Sequence, residues 1–509
     1  MTLAHEKKKR LLTAITLTLI LALGAFLRLY KLGAYSIGNT YYAATVKSML
    51  TSWHNFFYAA FEPGGSVTVD KPPLGFWVQA IFAYFLGVNG FALALPQALA
   101  GVLSIGVLFH LVKKHFGAPA GLVAALALAV MPVTVATERN NTIDGLLVFV
   151  LLLAAWAFIK AAESGKTRHL LLGALLVGVG FNIKMLQAFM PLPAFYAVYF
   201  FGSRRPWWQR IVQLTAATVV LFVVSFAWVA VVDLTPPEER PYIGSSENNT
   251  VTELIIGHNG LRRLGLLQRG PDGNRPGPGL AGPPANPPSQ GTIPSSPGNA
   301  GNPPRLNVPP GKPGAPSPPA EALAACENAH AGEACAWTRR DGQPVNGVCV
   351  QVPQSRLACA PPAVARSLSS APGQQPPLPG GSAPGGGPGR SNETGQAGVL
   401  RLFQEPLVTE ASWLLVFVLL GLPLALVTVG WEWPLEGRQM GLLLWTAWLL
   451  PEMAYFSFTT GLFHRYYLIM LGPPLAALTA IALWSLARQT ARRPMTGWLL
   501  TAFIAGSNL

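Results

Sequence analysis

Charge is what this sequence has least of. Only 11% of its 509 residues are charged and only 22 are Asp or Glu, against roughly a quarter charged in a soluble domain. A water-exposed chain of this length needs far more ionisable surface, so this one is read as embedded in lipid. Cysteine is scarce as well: four residues, all between 326 and 359. That excludes a disulfide scaffold for the whole chain and confines cross-linking to one short stretch. No basic stripe with interleaved aromatics occurs either, so the net charge of +14 does not point to nucleic acid. The basic residues flank apolar runs instead, where they orient membrane spans.

Apolar sequence is what is plentiful, at 51% of the chain. Runs long enough to span fall at 11–29, 91–112, 118–137, 143–160, 169–185, 187–202, 211–233, 411–430, 439–459 and 466–487. Each is read as a helix, because hydrocarbon leaves a lone strand or loop with unsatisfied backbone groups. The first run follows Lys7, Lys8, Lys9 and Arg10 as a secretory signal would. It nonetheless ends in Arg28-Leu29-Tyr30 without a small-residue cleavage site, and so reads as a retained span. A further run from Met495 to Leu509, about 15 residues, is short for a span and reads as one cut off by the chain end.

Placing Lys7–Arg10 inside makes every even-numbered turn cytoplasmic. Those turns carry Lys113 and Lys114; Lys160, Lys166 and Arg168; Arg204, Arg205 and Arg210; Arg438; and Arg488, Arg492 and Arg493. All are basic, as the positive-inside bias requires. The predicted protein is therefore a multi-pass protein of the cytoplasmic membrane, with its N-terminus inside and its working face outside. Lys184 sits between runs 169–185 and 187–202, which read either as two helices or as one kinked helix.

Two long segments then lie outside. The first, 30–90, is too polar to span but holds amphipathic stretches at 41–50 and 74–86 suited to the membrane surface. The second is an insert at 269–398, dominated by Pro, Gly and Ser and expected to be mostly disordered. It divides an N-terminal transmembrane core at 1–268 from C-terminal helices at 399–509. Its cysteines, Cys326, Cys335, Cys349 and Cys359, predict a small module at 326–359 with two disulfides. A four-thiolate zinc site is the rival reading, disfavoured because no Cys-x-x-Cys pair occurs. Three connectivities remain open.

Polar residues gather at the outer span ends: Asp70 and Lys71; Glu138 to Asp144; Lys184 and Gln187; Glu247 to Arg263; and His464 to Tyr467. Ionisable groups near a bilayer are costly and tend to be functional. Each also has a plainer reading. Asp144 could cap a helix, and His464, Tyr466 and Tyr467 could form an interfacial belt. Lys184, Arg262 and Arg263 are cations on the disfavoured side, which an anionic lipid headgroup or a diphosphate-like ligand explains.

Several stretches carry a resemblance. Arg28-Leu29-Tyr30, the run Tyr41-Tyr42-Ala43-Ala44-Thr45-Val46-Lys47-Ser48-Met49-Leu50, Asp70-Lys71-Pro72-Pro73-Leu74-Gly75-Phe76-Trp77 and Phe181-Asn182-Ile183-Lys184 resemble bacterial members of the protein O-mannosyltransferase superfamily. That group includes glycosyltransferase family 39 and the lipid A aminoarabinose transferase. The match covers roughly 15–265 and 410–490 and omits the insert. The resemblance implies an all-α polytopic membrane protein with a GT-C helical core and surface helices in the first outer loop. It further implies inverting transfer of a sugar, mannose being the commonest in the family, from a polyprenyl-phosphate carrier in the membrane to an acceptor glycolipid, glycan or protein. By the same resemblance Asp70 and His258 match residues beside a divalent metal. Lys71, Lys184 and Arg262 or Arg263 match contacts to the carrier phosphate, and Asp144 matches an acid opening the fourth span. Tyr41, Tyr42, His464, Tyr466 and Tyr467 join the candidate site.

One departure stands out. The family usually shows Asp-Glu before the Tyr-rich surface helix, and the Asp serves as base; this chain has Gly38-Asn39. Neither side chain takes a proton at neutral pH. The remaining catalytic candidates are Asp144, favoured as base, and Asp70, with Asn39 orienting sugar or carrier. A transporter of lipid-linked substrates, a scaffold displaying the insert, and a relative without transferase activity are the alternatives. A transporter would carry ionisable groups near the midplane and often an internal repeat, and no repeat is evident.

Overall fold

The computed structural model describes residues 2–34, 36–261, 393–460 and 463–495, with short stretches between 320 and 360. Helix α1 (Thr2–Leu29) opens the chain, and its exposed Leu11, Leu12, Leu19 and Phe26 suit lipid contact. Three short helices follow: α2 (Thr40–Met49), α3 (Trp53–Tyr58) and α4 (Leu74–Leu86). Next come α5 (Gly90–Phe116), α6 (Ala118–Val130), α7 (Pro132–Glu138), α8 (Asp144–Ser164), α9 (Thr167–Lys184), α10 (Leu192–Gly202) and α11 (Trp207–Leu234). Beyond the insert lie α12 (Trp413–Val429), α13 (Gly437–Phe458) and α14 (Gly472–Arg492). Among the described residues, six stretches are long and apolar enough to cross a membrane, or seven if the α6–α7 pair is one span. The chain is a multi-pass membrane protein.

Four of the ten expected spans differ from expectation. Run 187–202 yields only the 11 residues of α10, because α9 stops at Lys184. Met185 then takes φ +48 and a 3-10 turn, Met185–Phe189, uses up the following residues. The open question at Lys184 is thus settled as two separate helices. Run 411–430 shortens to the 17 residues of α12, and α13, though 22 residues long, carries too much polarity to pass as a span by composition.

Expected span 118–137 is broken rather than continuous, with α6 and α7 bent by 57°. Pro132 has no N–H to offer the Leu128 carbonyl, and a carbonyl released inside hydrocarbon must find another donor. Arg28 supplies it from α1, donating from Nη2 to Leu128 O at 3.3 Å and from Nη1 to Ala129 O at 2.9 Å. Its guanidinium is fully buried, and Glu138 at the end of α7 neutralises it through Nε–Oε2 at 2.5 Å. One arginine therefore caps the broken helix and fixes the angle at which α7 leads into the Asn140–Asp144 corner.

The loop between α1 and α5 holds the two amphipathic stretches expected at 41–50 and 74–86 as α2 and α4. Asn39 caps α2 by accepting from Tyr42 N at 3.2 Å. The loop is pinned to the chain beyond α11, since Thr68 N donates to Tyr242 O at 2.9 Å and Tyr242 N to Ser66 O at 2.8 Å. The stretch Arg465–Arg492, containing α14, lies at the centre of the bundle with 89% of its apolar window buried, against 11% for α1. Small residues permit that placement: a Cβ added at Gly421 would come within 2.5 Å of Ala482 Cβ.

The insert forms its own unit. Strands β1 (Ala334–Thr338), β2 (Pro344–Val352) and β3 (Arg356–Ala360) make an antiparallel sheet in the order β1-β2-β3. Disulfides join Cys326 to Cys349 and Cys335 to Cys359. That selects one of the three connectivities and leaves no cysteine free for zinc. The insert residues at 270–319 and 361–392, for which disorder was expected, lie outside the described residues.

Candidate active site

Asp70 and Lys71 close the first outer loop just before Pro72 and Pro73, which stop backbone pairing and lead into α4. Lys71 Nζ lies 2.5 Å from Asp70 Oδ2, and His258 Nε2 lies 3.5 Å from the same oxygen. His258 belongs to a π-helical turn, Leu254–Leu261. Asp233 at the end of α11 sets that turn, accepting from Val251 N at 2.7 Å and Thr252 N at 3.0 Å. Burial would raise the Asp70 carboxyl, yet the Lys71 ammonium and His258 outweigh it and hold Asp70 well below the usual carboxylate range. Tyr41 responds in the opposite sense, with burial and the Asp70 charge pushing its phenol to about 12. It stays a neutral donor at any physiological pH.

The second cluster is deeper. Asp144, the first residue of α8, pairs through Oδ1 with Lys184, the last residue of α9. Their side chains are 1% and 3% exposed, and Asp144 Oδ2 is buried without a hydrogen-bond partner. Asp144 does not cap its helix: the cap position is Ile143. Lys184 Nζ lies 4.1 Å from the Tyr467 ring centroid and 5.0 Å from that of Tyr466. Two electron-rich faces and one carboxylate thus surround a single ammonium and compensate its burial. Tyr42 and Asp144 both lie within electrostatic reach of the Tyr466 hydroxyl.

A cavity of about 160 Å³ opens beside the second cluster, lined by Lys184, Gln187, Asn259, Tyr455 and Tyr467 among others. Asn259 also donates to the Asp70 carbonyl at 3.4 Å. The break after α9 opens this space, because the 3-10 turn carries Gln187 into the wall that a continuing helix would have filled.

Asn39 sits apart from both acids by its bonding. Its side chain is used by the α2 cap, while its backbone N–H donates to Asn141 Oδ1 at 2.6 Å and its carbonyl accepts from Asn141 Nδ2 at 2.9 Å. Gly38 has φ +82, and a Cβ there would meet Asn141 Oδ1 at 2.4 Å and Asn140 Oδ1 at 2.6 Å. The paired asparagines crowd the space beside residue 38, so a side chain there would have to displace their amide oxygens.

Of the sequence candidates, the structure brings together Asp70, Lys71, His258 and Tyr41 in one cluster and Asp144, Lys184, Tyr466 and Tyr467 in another, with Tyr42 packed against Tyr41 at 5.9 Å. His464 stands at the edge, stacked on Tyr466 at 5.4 Å and 3.3 Å from Glu393. Arg262 and Arg263 lie outside the described residues. Sequence reasoning missed Asn259, Asp233 and Glu452. Glu452 is fully buried in α13 and accepts from Trp448 Nε1 at 3.0 Å. An acid within an apolar run was the available signal for it.

Comparison with known proteins agrees with this picture. Residues 70–228 match the family described as dolichyl-phosphate-mannose-protein mannosyltransferase. Two Bacillus subtilis (strain 168) proteins, named "Putative mannosyltransferase YycA" and "Putative mannosyltransferase YkcB", are each 39% identical. The alignments take in 95% and 97% of this chain but 65% and 64% of theirs, so the chain spans somewhat under two thirds of their length. Among solved structures, ArnT from Cupriavidus metallidurans bound to undecaprenyl phosphate superposes with a TM-score of 0.51 at 16% identity, covering 96% of this chain and 63% of that one. At that identity the likeness shows the fold alone. The mannosyltransferase-family domain, the two Bacillus relatives and the shared helical core all fit a membrane glycosyltransferase of the GT-C type.

Proposed function

We propose that the chain transfers a sugar, with inversion, from a polyprenyl-phosphate carrier to an acceptor on the extracytoplasmic side of the cytoplasmic membrane. The observation that carries this reading is the pair of buried lysines, Lys71 and Lys184, each beside a carboxylate. Lys184 lines the cavity, and Asn259 joins that cavity to Asp70. A glycosyl phosphate needs cations where the departing phosphate gathers charge. Lys71 and Lys184 supply them, with Arg262 and Arg263 following in sequence close behind His258. The matched family's description names a dolichyl-phosphate mannose donor, and the ArnT structure holds undecaprenyl phosphate. Both support a polyprenyl-phosphate sugar, with mannose the first to test.

In the reaction, the acceptor oxygen attacks the anomeric carbon while the bond to the carrier phosphate breaks. The bonding electrons leave with the phosphate, and the hydroxyl proton passes to a carboxylate. Asp144 is the candidate base, because its Oδ2 is buried without a hydrogen-bond partner, whereas Lys71 and His258 both face Asp70 Oδ2. Tyr467 lines the cavity and, with Tyr466 packed edge-on against it at 4.8 Å, orients the sugar. Asp70 Oδ2 and the unpartnered His258 Nε2, 3.5 Å apart, fit two ligand positions of one divalent cation. Such an ion would neutralise donor phosphate charge.

A second reading, loss of transfer, is favoured by Gly38, where two asparagine side chains crowd the place an acid would take. Incubating purified protein with labelled polyprenyl-phosphate mannose, glucose and aminoarabinose separates the two. Release of polyprenyl phosphate from any of them supports the transferase, and intact donor in every case supports the inactive relative.

A further inference from the structure

The basic side of the bundle contains one arrangement that the transferase reading does not use. Most cations there have partners. Arg204 pairs with Glu436 and Lys114 with Glu163, while Arg205 donates to Gly165 O at 2.7 Å and Arg210 to Phe200 O at 2.7 Å. Arg438 and Arg488 have none of these. Arg438, in the first turn of α13, holds its guanidinium carbon 4.9 Å from the Trp484 ring, and Arg488 holds its own 4.7 Å from the same ring. Arg488 follows Trp484 by one helical turn in α14, and a helical side chain leans toward the N-terminus, so it folds back over the indole. Arg438 arrives from the neighbouring helix. Phe116 braces the indole edge-on at 5.3 Å. Both arginines are exposed, and neither meets a carboxylate among the described residues.

Two guanidiniums drawn to one ring repel each other, and the ring neutralises neither. A ring face engages the guanidinium plane and leaves the N–H edges free to grip an oxyanion in bidentate fashion. An indole with arginines at a span end is also the chemistry of the lipid headgroup layer. We infer that Arg438, Arg488 and Trp484, none of which lines the candidate active-site cavity, form a binding site for the phosphate of an anionic glycerophospholipid at the α13–α14 end of the bundle.

Native mass spectrometry of the full chain in detergent tests this with dioleoyl-phosphatidylglycerol, dioleoyl-phosphatidylcholine and inorganic phosphate as probes. The wild type is expected to retain phosphatidylglycerol in preference to phosphatidylcholine. An Arg438→Gln/Arg488→Gln double variant should bind phosphatidylglycerol at least tenfold more weakly, and Arg204→Gln should leave it unchanged. Unaltered melting temperature and size-exclusion profile in the double variant verify that its fold persists, and each single arginine variant should show an intermediate loss. Equal retention of the two lipids would overturn the site, as would an unchanged affinity in the double variant. Displacement of the lipid by inorganic phosphate at equal concentration would overturn it too, since the site would then be one for free phosphate.

Discussion

Replacing Asp144 by Asn gives the sharpest test of the deep cluster. The Lys184 ammonium is 3% exposed, and Asp144 is its carboxylate ion-pair partner. Removing one member of a buried pair costs about 3–5 kcal/mol, because an uncompensated charge stays behind. The Tyr466 and Tyr467 rings at 5.0 and 4.1 Å offset about 0.5–2 kcal/mol of that loss. Asp144→Asn should therefore destabilise the protein by about 1–4.5 kcal/mol, read as a lower melting temperature in detergent. Adding Lys184→Met removes the stranded charge, so the double variant should regain most of the loss, with a coupling of about 2–3 kcal/mol in the double-mutant cycle. Donor turnover should stay at least about 100-fold down in both, since restored packing restores neither base nor cation. A single variant as stable as wild type would refute the reasoning, and so would a double variant no more stable than the single.

Three further outcomes follow from the same geometry. Gly38→Ala should destabilise by about 1–2 kcal/mol or more in a thermal melt, since φ +82 and the asparagine oxygens at 2.4 and 2.6 Å oppose any Cβ, and Gly38→Asp should not raise turnover. Asp70 has a depressed folded pKa, so its stabilising pairing is fully present above the unfolded value of about 4 and is lost only as pH falls through the lower folded value. Donor binding should accordingly show no Asp70-linked change between pH 5 and 8; a titration there that vanishes in Asp70→Asn would contradict this. Deleting 270–391 should leave basal turnover and melting temperature near wild type, because loop length alters closure entropy slowly. Extending the cut through Thr394 should destabilise, since that residue's carbonyl accepts from the buried Arg401 at 2.8 Å.

Much of the protein was legible before any coordinates. Apolar runs and their basic flanks marked the helices because hydrocarbon allows no other backbone solution, and the 74–86 stretch became α4 to the residue. Asp70, Lys71, Asp144 and Lys184 stood out because ionisable groups are rare in such a chain. Long-range pairing was not legible. Nothing local joins Asp144 to Lys184 forty residues on, or Arg28 to the carbonyls freed by Pro132. Nor does composition choose Cys326–Cys349 over two other pairings. The sequence determined which segments enter lipid and which residues are too costly to be there idly, since both follow from transfer free energies residue by residue. Only the tertiary structure decided which charge faces which, and that Gly38 backs onto two asparagines, because those depend on how helices distant in the chain cross.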